Sequence, residues 1–270
     1  MHFHLHLVAS QPHTLVPFNY QYLLTGWLYR VLQGADAQYT TFLHQHGYRT
    51  ERKTFRLFTF SDLRLSRYEV RPGKGQGPGG LLLLSPEADL TLSFYVDRAA
   101  EAFVTGLFRE QTLVLANRQQ RAQLVVERVE MQPVSLAQDR VTLRTLSPVV
   151  VAEKDETGMD QYLHPADESF GPLLLRNLID KYRSVAPDTP PGWIPEPLPE
   201  AFSYRLLTQA NRVRSRLVTI KEGAREETKV RGWYGFDFEL TGPAEVLEVG
   251  MLAGVGRYNA EGFGCVQAVT

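Results

Sequence analysis

Apolar and polar residues alternate at the start of the chain, in the stretch HFHLHLVA. Phe3, Leu5 and Leu7 share one face and three histidines share the other, which predicts a strand with one buried face. The next segment, NYQYLLTGWLYRVL, changes to helical spacing. Its apolar stripe consists of Tyr22, Leu23, Trp27, Val31 and Leu32.

The rest of the first half predicts a short helix, several strands, a helix and further strands. The short helix is DAQYTTFLHQHG, which begins at the N-cap residue Asp36 and ends at Gly47. A glycine-rich hairpin tip at residues 73–80 separates the strand-like runs RYEVR and LLLLS. The amphipathic segment DRAAEAFVTGLFRE predicts the last helix, and the apolar runs TLVLAN and AQLVVERVEMQ predict strands after it.

The second half repeats this order without obvious sequence identity. RVTLRTLSPVVVAE predicts a strand, ESFGPLLLRNLIDKYRSV a helix, and PAEVLEVGMLAG a second helix before the final strand FGCVQAV. Two β-α-β-β-α-β halves indicate an α+β fold of two tandem ferredoxin-like domains with antiparallel sheets. The predicted domains are 1–134 and 135–270, and the Pro-rich residues 186–199 are predicted to be a rigid surface linker.

Composition narrows the class of protein. At 43% hydrophobic and 22% charged residues, the chain resembles an ordinary soluble protein. No apolar run is long enough for a membrane helix, and the first residues lack the order of a signal peptide. The single cysteine, Cys265, forms no internal disulfide and is expected to be a buried apolar group. These features predict a cytoplasmic protein with no membrane contact.

The net charge of −1 conceals two basic segments. Residues 49–74 and residues 205–231 each contain eight Lys or Arg and three acidic residues, a net charge of +5 for each segment. The remaining residues therefore carry −11. Such local basic segments on an acidic body favour a polyanion-binding surface, although solvated strand faces and turns are the alternative.

Two Gly-x-Gly pairs lie near the end of the chain, in GVGRYNAEGFG. Glycine-rich loops allow backbone N–H groups to approach a phosphate. This loop has no following Lys-Ser/Thr, and only six residues follow its last glycine. It is therefore neither a P-loop nor a dinucleotide fingerprint. The glycines are Gly254, Gly256, Gly262 and Gly264.

This glycine spacing resembles the C-terminal motif of the CRISPR-associated endoribonucleases that cut CRISPR repeat RNA, in the repeat-associated mysterious protein superfamily. The segments VPFNYQYLLTGWLYRVL, FLHQHG, RLFTFSDL and TLSPVVV follow in the family's order. The resemblance implies metal-independent attack of a ribose 2′-hydroxyl on its own phosphate, with 2′,3′-cyclic phosphate and 5′-hydroxyl products. It also implies CRISPR repeat RNA as the partner, other CRISPR-associated effector subunits as further partners, no cofactor, and a monomer or homodimer.

The same resemblance assigns catalytic residues. The family's histidine matches His44, with His46 as the alternative, and a tyrosine on the first helix matches Tyr29. A histidine suits proton transfer because its pKa is near neutrality. The sequence does not decide which of three basic residues, Arg52, Lys53 and Arg56, stabilises the phosphorane charge. Arg56 matches the family's lysine in position, and Lys53 matches it in residue type.

RNA binding is predicted on the second basic segment. Arg212, Arg214 and Arg216 alternate and are expected to project from one strand face, with Lys229 and Arg231 on a neighbouring strand. A solvent-exposed sheet face is the competing interpretation. The glycine loop is also predicted to bind RNA, through backbone N–H groups and its one basic residue, which is Arg257.

Two other functions also fit the sequence. One is a non-catalytic RNA-binding subunit of a CRISPR effector complex, in which His44 has no chemical role. The other is a metal-dependent nuclease that uses His2, His4 and His6. No carboxylate or cysteine accompanies these histidines in the local sequence, so no metal site is predicted.

Overall fold

The structure is a computed structural model. It describes residues 1–51, 53–73, 78–132, 134, 136, 139–186, 201–220 and 225–269. Residues 74–77 of the predicted hairpin tip and residues 187–199 of the predicted Pro-rich linker lie outside the described residues. The chain combines helices with antiparallel strands, as the sequence predicts.

The first half contains three α-helices and eleven strands among its described residues. In chain order they are β1 (His2–Ala9), β2 (Leu15–Pro17), α1 (Tyr20–Ala35), α2 (Ala37–Gln45), β3 (Tyr48–Arg49), β4 (Thr54–Phe55), β5 (Phe58–Phe60), β6 (Arg64–Leu65), β7 (Tyr68–Arg71), β8 (Gly80–Leu83), β9 (Glu87–Phe94), α3 (Asp97–Leu107), β10 (Thr112–Ala116) and β11 (Arg121–Gln132).

The second half contains two α-helices, eight strands and two short 3-10 helices among its described residues. In chain order they are β12 (Arg140–Thr145), β13 (Ala152–Lys154), β14 (Asp160–Tyr162), α4 (Phe170–Arg183), β15 (Ser203–Leu206), a 3-10 helix (Ala210–Arg212), β16 (Arg214–Ile220), β17 (Thr228–Tyr234), β18 (Asp237–Thr241), α5 (Ala244–Ala253), a 3-10 helix (Asn259–Glu261) and β19 (Val266–Ala268).

The two main sheets share one topology. The first has the order β10-β11-β1-β9-β5, and the second has the order β15-β18-β12-β19. When the strands of each β-α-β-β-α-β unit are numbered along the chain, both sheets have the order 4-1-3-2, with β10 as an added edge strand in the first. The prediction of two tandem ferredoxin-like domains with antiparallel sheets is confirmed.

Each sheet packs its own helices over its own core. In the first domain, the Phe3, Leu5 and Leu7 face of β1 is buried against α1 and α3, which confirms the predicted alternation. The buried stripe of α1 is rotated relative to the predicted apolar stripe. Tyr22 belongs to the predicted stripe but is 40% exposed, whereas Leu24 lies outside the predicted stripe and is fully buried. In the second domain, α4 and α5 cover the four-stranded sheet.

The main sheets divide between Gln132 and Arg140, where β11 ends and β12 begins. The boundary between 1–134 and 135–270 stays a prediction, since residues 133, 135, 137 and 138 lie outside the described part of the chain. Strands β16 and β17 form a separate two-stranded ribbon that belongs to neither main sheet.

Candidate active site

His44 and Tyr29 meet at the junction of α1 and α2. The His44 side chain is exposed in the last turn of α2, and Tyr29 is half-buried on α1. Their ring centroids lie 5.7 Å apart with an interplanar angle of 80°, an edge-to-face contact. Tyr29 also contacts Phe58 of β5 edge to face at 6.0 Å, which fixes the tyrosine from behind. The imidazole therefore remains accessible to a ligand while its neighbour is held in place.

Arg56 completes this cluster. Its Nη2 donates a hydrogen bond to the backbone carbonyl of His44 at 3.0 Å. Its Nη1 lies where a side chain at Gly47 would have to be, and Gly47 has a φ of +62° just after α2. Burial raises the pKa of Tyr29, although the charge of Arg56 and a hydrogen bond from it oppose that rise. Tyr29 is therefore a proton donor rather than a base near neutral pH.

The backbone directly after Arg56 is strained. Leu57 has a φ of +56° and is almost fully buried against Val249 and Ala253 of α5. A positive φ is unfavourable for a branched residue and persists only where the surroundings enforce it. This residue separates β4 from β5 and so sets the direction in which the chain carries Arg56. The sequence does not indicate this positive φ, because leucine favours neither turns nor positive φ.

The alternatives left open by the sequence take different positions. His46 lies beyond α2, where its backbone N–H donates to Phe42 and its carbonyl accepts from Arg49. The Lys53 Nζ is turned to the second domain and pairs with Asp180 of α4 at 2.6 Å. Arg52 lies outside the described residues. The structure thus brings together His44, Tyr29 and Arg56.

The glycine loop, residues 254–264, is buried between the two domains. All four of its motif glycines have positive φ, between 70° and 88°. The hydroxyl of Thr25 on α1 donates to Ala260 at 2.8 Å, and the hydroxyl of Thr59 on β5 donates to Phe263 at 3.0 Å. Thr25 lies one turn before Tyr29, and Thr59 follows Phe58, so the loop braces the two elements that hold Tyr29.

The expectation that this loop offers its backbone N–H groups to RNA is wrong at five positions. The N–H of Val255 donates to Gly264, that of Arg257 to Val150, that of Glu261 to Tyr258, that of Gly262 to Asn259 and that of Gly264 to Pro148. The side chain of Asn259 spans the loop and donates to Val255 and Phe263. These groups stabilise the loop itself. Arg257 is the one basic residue of the loop and was predicted to contact RNA. Its side chain is half-buried and pairs with Asp160 at 3.1 Å.

Lys181 holds the glycine loop from α4. Its Nζ donates to the carbonyls of Gly254 at 2.5 Å and Gly256 at 3.0 Å, and the residue is only 2% exposed. No carboxylate pairs with it among the described residues. Burial lowers the pKa of Lys181 well below its ordinary value, and the nearby charge of Lys53 adds to this. Lys181 was not among the functional residues predicted from the sequence.

Replacing Lys181 with Met is expected to remove a pH-dependent part of the stability. Because the pKa is lowered in the folded state, the unfolded chain binds the proton more readily, and the wild type gains stability as pH rises toward 10.5. Urea unfolding should therefore show a wild-type advantage over Lys181→Met that grows by up to about 1.4 kcal/mol per pH unit in this window. A difference that is constant from pH 7 to 10 would contradict the assignment. Lys154→Met, at an exposed lysine, is the matched control.

The three predicted RNA-binding arginines do not share one strand face, which corrects that expectation. Arg212 lies in a 3-10 helix before β16, because the strand begins only at Arg214. Arg214 and Arg216 both face the Tyr234 ring, at 4.9 and 5.8 Å from its centroid. Arg216 also forms an ion pair with Asp62 of the first domain. Arg216 thus joins the domains.

Lys229 and Arg231 lie on the opposite face of the ribbon. They pair directly with Thr219 and Leu217 of β16, whereas Arg216 pairs with Gly232. Directly paired residues of antiparallel strands project to the same side. The outer face therefore presents Lys229, Arg231 and the 52% exposed Leu217.

Two family models together match most of the chain. Residues 130–268 match the family model described as CRISPR associated protein Cas6, C-terminal. Residues 15–129 match the model described as CRISPR-associated protein Cas6, N-terminal. The chain belongs to the Cas6 family. The resemblance of the glycine motif is confirmed by these matches.

Individual Cas6 relatives cover nearly the whole chain. A protein named CRISPR-associated endoribonuclease Cas6, from Pyrococcus furiosus, is 29% identical over 254 residues, 93% of this chain and 83% of the relative. Another, named CRISPR-associated endoribonuclease Cas6 1, from Methanocaldococcus jannaschii, is 25% identical over 94% of this chain and 87% of the relative. A solved structure described as a Cas6-related gene from Pyrococcus furiosus has a TM-score of 0.79 at 22% identity, covering 100% and 98% of the two chains. It shows the same fold.

The histidine face of β1 does have a carboxylate neighbour, which the local sequence did not indicate. Asp89 of β9 lies 3.5 Å from His4 Nε2 and 3.1 Å from His6 Nδ1. His2 contacts Ser93 at 2.8 Å, and burial lowers its pKa to about 4. Within the described ranges, no three His, Cys, Asp or Glu residues are arranged to hold a metal ion, and no helix is long and apolar enough to cross a membrane.

Proposed function

We propose that this Cas6 protein is an endoribonuclease that cleaves CRISPR repeat RNA by attack of a ribose 2′-hydroxyl on the adjacent phosphate. The observation that carries the proposal is the convergence of His44, Tyr29 and Arg56 at one accessible junction. The endoribonuclease names of the Pyrococcus and Methanocaldococcus relatives support it. The products are a 2′,3′-cyclic phosphate and a 5′-hydroxyl.

Each residue of the cluster has a distinct task. His44 takes the proton from the 2′-hydroxyl and, once protonated, returns a proton to the leaving 5′-oxygen. Tyr29, kept protonated by its raised pKa, donates a hydrogen bond to a phosphate oxygen. Arg56 places a fixed guanidinium against the charge that develops on the phosphorane. All three tasks use the chain's own side chains, so the proposal includes no metal and no cofactor.

RNA is proposed to bind on the outer face of the ribbon as well. Lys229 and Arg231 are exposed there, and Arg214 is exposed on the opposite face, over the Tyr234 ring. The lone buried Cys265 fits a reducing compartment, and the proposed location is the cytoplasm. A monomer or homodimer is the proposed state, with other CRISPR effector subunits as further partners.

The test uses end-labelled repeat RNA with the wild-type protein in excess EDTA. We expect a single specific cut. Tight binding of the repeat without a product at any time would contradict the enzyme proposal and favour a non-catalytic RNA-binding subunit. Cleavage that EDTA abolishes would instead favour a metal-dependent nuclease.

A further inference from the structure

Strand β7 is the open edge of a small sheet in the first domain. The order of that sheet is β2-β8-β7, and its strands are antiparallel. Among the described residues, no strand pairs with β7 on its outer side, and all four of its residues are exposed. An open edge presents backbone N–H and C=O groups with which a strand of another chain can pair.

Two of the four side chains on this edge are apolar. Tyr68 is 48% exposed and Val70 is 62% exposed. They pair directly with Leu83 and Leu81 of β8, and both leucines pack against the core of the first domain. Directly paired residues lie on the same face of a sheet. Tyr68 and Val70 therefore extend the core-facing side beyond the last strand, where one further strand would cover them.

The other two side chains carry opposite charges on either side of Val70. Glu69 and Arg71 pair with each other at 3.3 Å, and their side chains are 54% and 57% exposed. If two copies of β7 pair antiparallel about a two-fold axis at Val70, Glu69 of each copy lies opposite Arg71 of the other. A shift by one step of the pleat places Glu69 opposite Glu69, or Arg71 opposite Arg71. Like charges directly opposite are destabilising, so the charges favour a single register.

We propose that β7 of one copy pairs with β7 of a second copy, which joins two three-stranded sheets into one antiparallel sheet. The interface is isologous, so every favourable contact occurs twice. Backbone pairing and the burial of Tyr68 and Val70 stabilise it. Because the paired strands are short, the interface is small and the dimer dissociates at micromolar concentrations. The dimer forms without RNA, and so the inference is independent of the proposed function.

Sedimentation velocity of the whole chain, without RNA, measures the monomer–dimer equilibrium. We expect Glu69→Arg and Arg71→Glu each to weaken the dimer about tenfold, because each change creates two like-charge contacts. The double variant restores opposite charges and is expected to dimerise within about twofold of wild type. A wild type that stays monomeric up to about 1 mM would overturn the proposal. So would a double variant that dimerises as weakly as the single variants.

A cysteine at the two-fold axis tests the register. In Val70→Cys the two new thiols face each other across Cα atoms about 4.5 to 5.5 Å apart, which a disulfide can span. The native Cys265 is buried and does not compete. We expect mild oxidation to convert most of Val70→Cys into a covalent dimer. Val129→Cys is the matched control, because Val129 is an exposed valine on β11, and it is expected to stay monomeric. Equal cross-linking of the two variants, or none in Val70→Cys, would overturn pairing at β7.

Discussion

His44→Ala is expected to bind repeat RNA as tightly as wild type and to cleave it about 10²- to 10⁴-fold more slowly, the usual contribution of a general acid or base. His44 is exposed, and the edge-to-face contact with Tyr29 is its ring contact in the structure. Its truncation therefore costs little stability. Arg56 keeps its bond to the His44 backbone carbonyl, which the variant retains. Single-turnover cleavage and filter binding measure the two quantities separately.

His46→Ala is the matched control for this prediction. It removes a second exposed histidine two residues away, beyond the end of α2, and is expected to cleave within about threefold of wild type because its imidazole makes no ring contact with Tyr29 among the described contacts. Equal losses in both variants, or cleavage by His44→Ala within tenfold of wild type, would mean that the catalytic histidine is assigned incorrectly.

Gly264→Ala is expected to destabilise the protein by about 3 kcal/mol or more. Gly264 has a φ of +70°, and its added methyl group would overlap the carbonyl oxygen of Val255, which is a backbone atom and cannot rotate away. The N–H of Val255 donates to the Gly264 carbonyl in the same turn, so relief of the overlap breaks the loop. Thermal unfolding should show a melting temperature lower by roughly 10 °C.

Two glycine controls separate the cost of the positive φ from the cost of the steric overlap. Gly158 has a φ of +80° but nothing within 4 Å of an added Cβ, so Gly158→Ala measures the conformational cost alone, about 1 to 2 kcal/mol. Gly26 lies in α1 with nothing within 4 Å, and Gly26→Ala is expected to stabilise by about 0.5 to 1 kcal/mol. A Gly264→Ala loss no larger than that of Gly158→Ala would show that the loop yields easily.

Much of the fold could be predicted because periodicity reports burial directly. The alternation in β1 and the helical spacing of α1 recur in the structure, and two β-α-β-β-α-β orders were sufficient to predict the tandem domains. The partition of β16 and β17 into a separate ribbon could not be predicted. Alternating arginines indicate one face of a strand, but only tertiary contacts decide that Arg216 pairs with Asp62 and that Arg212 precedes the strand.

The candidate site was predictable only in part. His44, Tyr29 and Arg56 came from the family resemblance, since a lone histidine on a helix carries no chemical signal. The Lys53 side chain turns to the second domain because it pairs with Asp180, which lies 127 residues further along the chain. The burial of Lys181 could have been predicted, because it follows Leu174 and Leu178 at helical spacing and so falls on the buried face of α4. A lysine on a buried stripe is unusual, and here it holds the glycine loop.

The most direct test of the central claim compares two repeat RNAs that differ by one oxygen atom. One is all ribose, and the other has a 2′-deoxynucleotide immediately upstream of the scissile phosphate. In EDTA, wild-type protein is expected to bind both equally, to cut only the first, and to leave a 2′,3′-cyclic phosphate and a 5′-hydroxyl. Cleavage of the deoxy-substituted RNA, or products with a 5′-phosphate, would contradict attack by the 2′-hydroxyl.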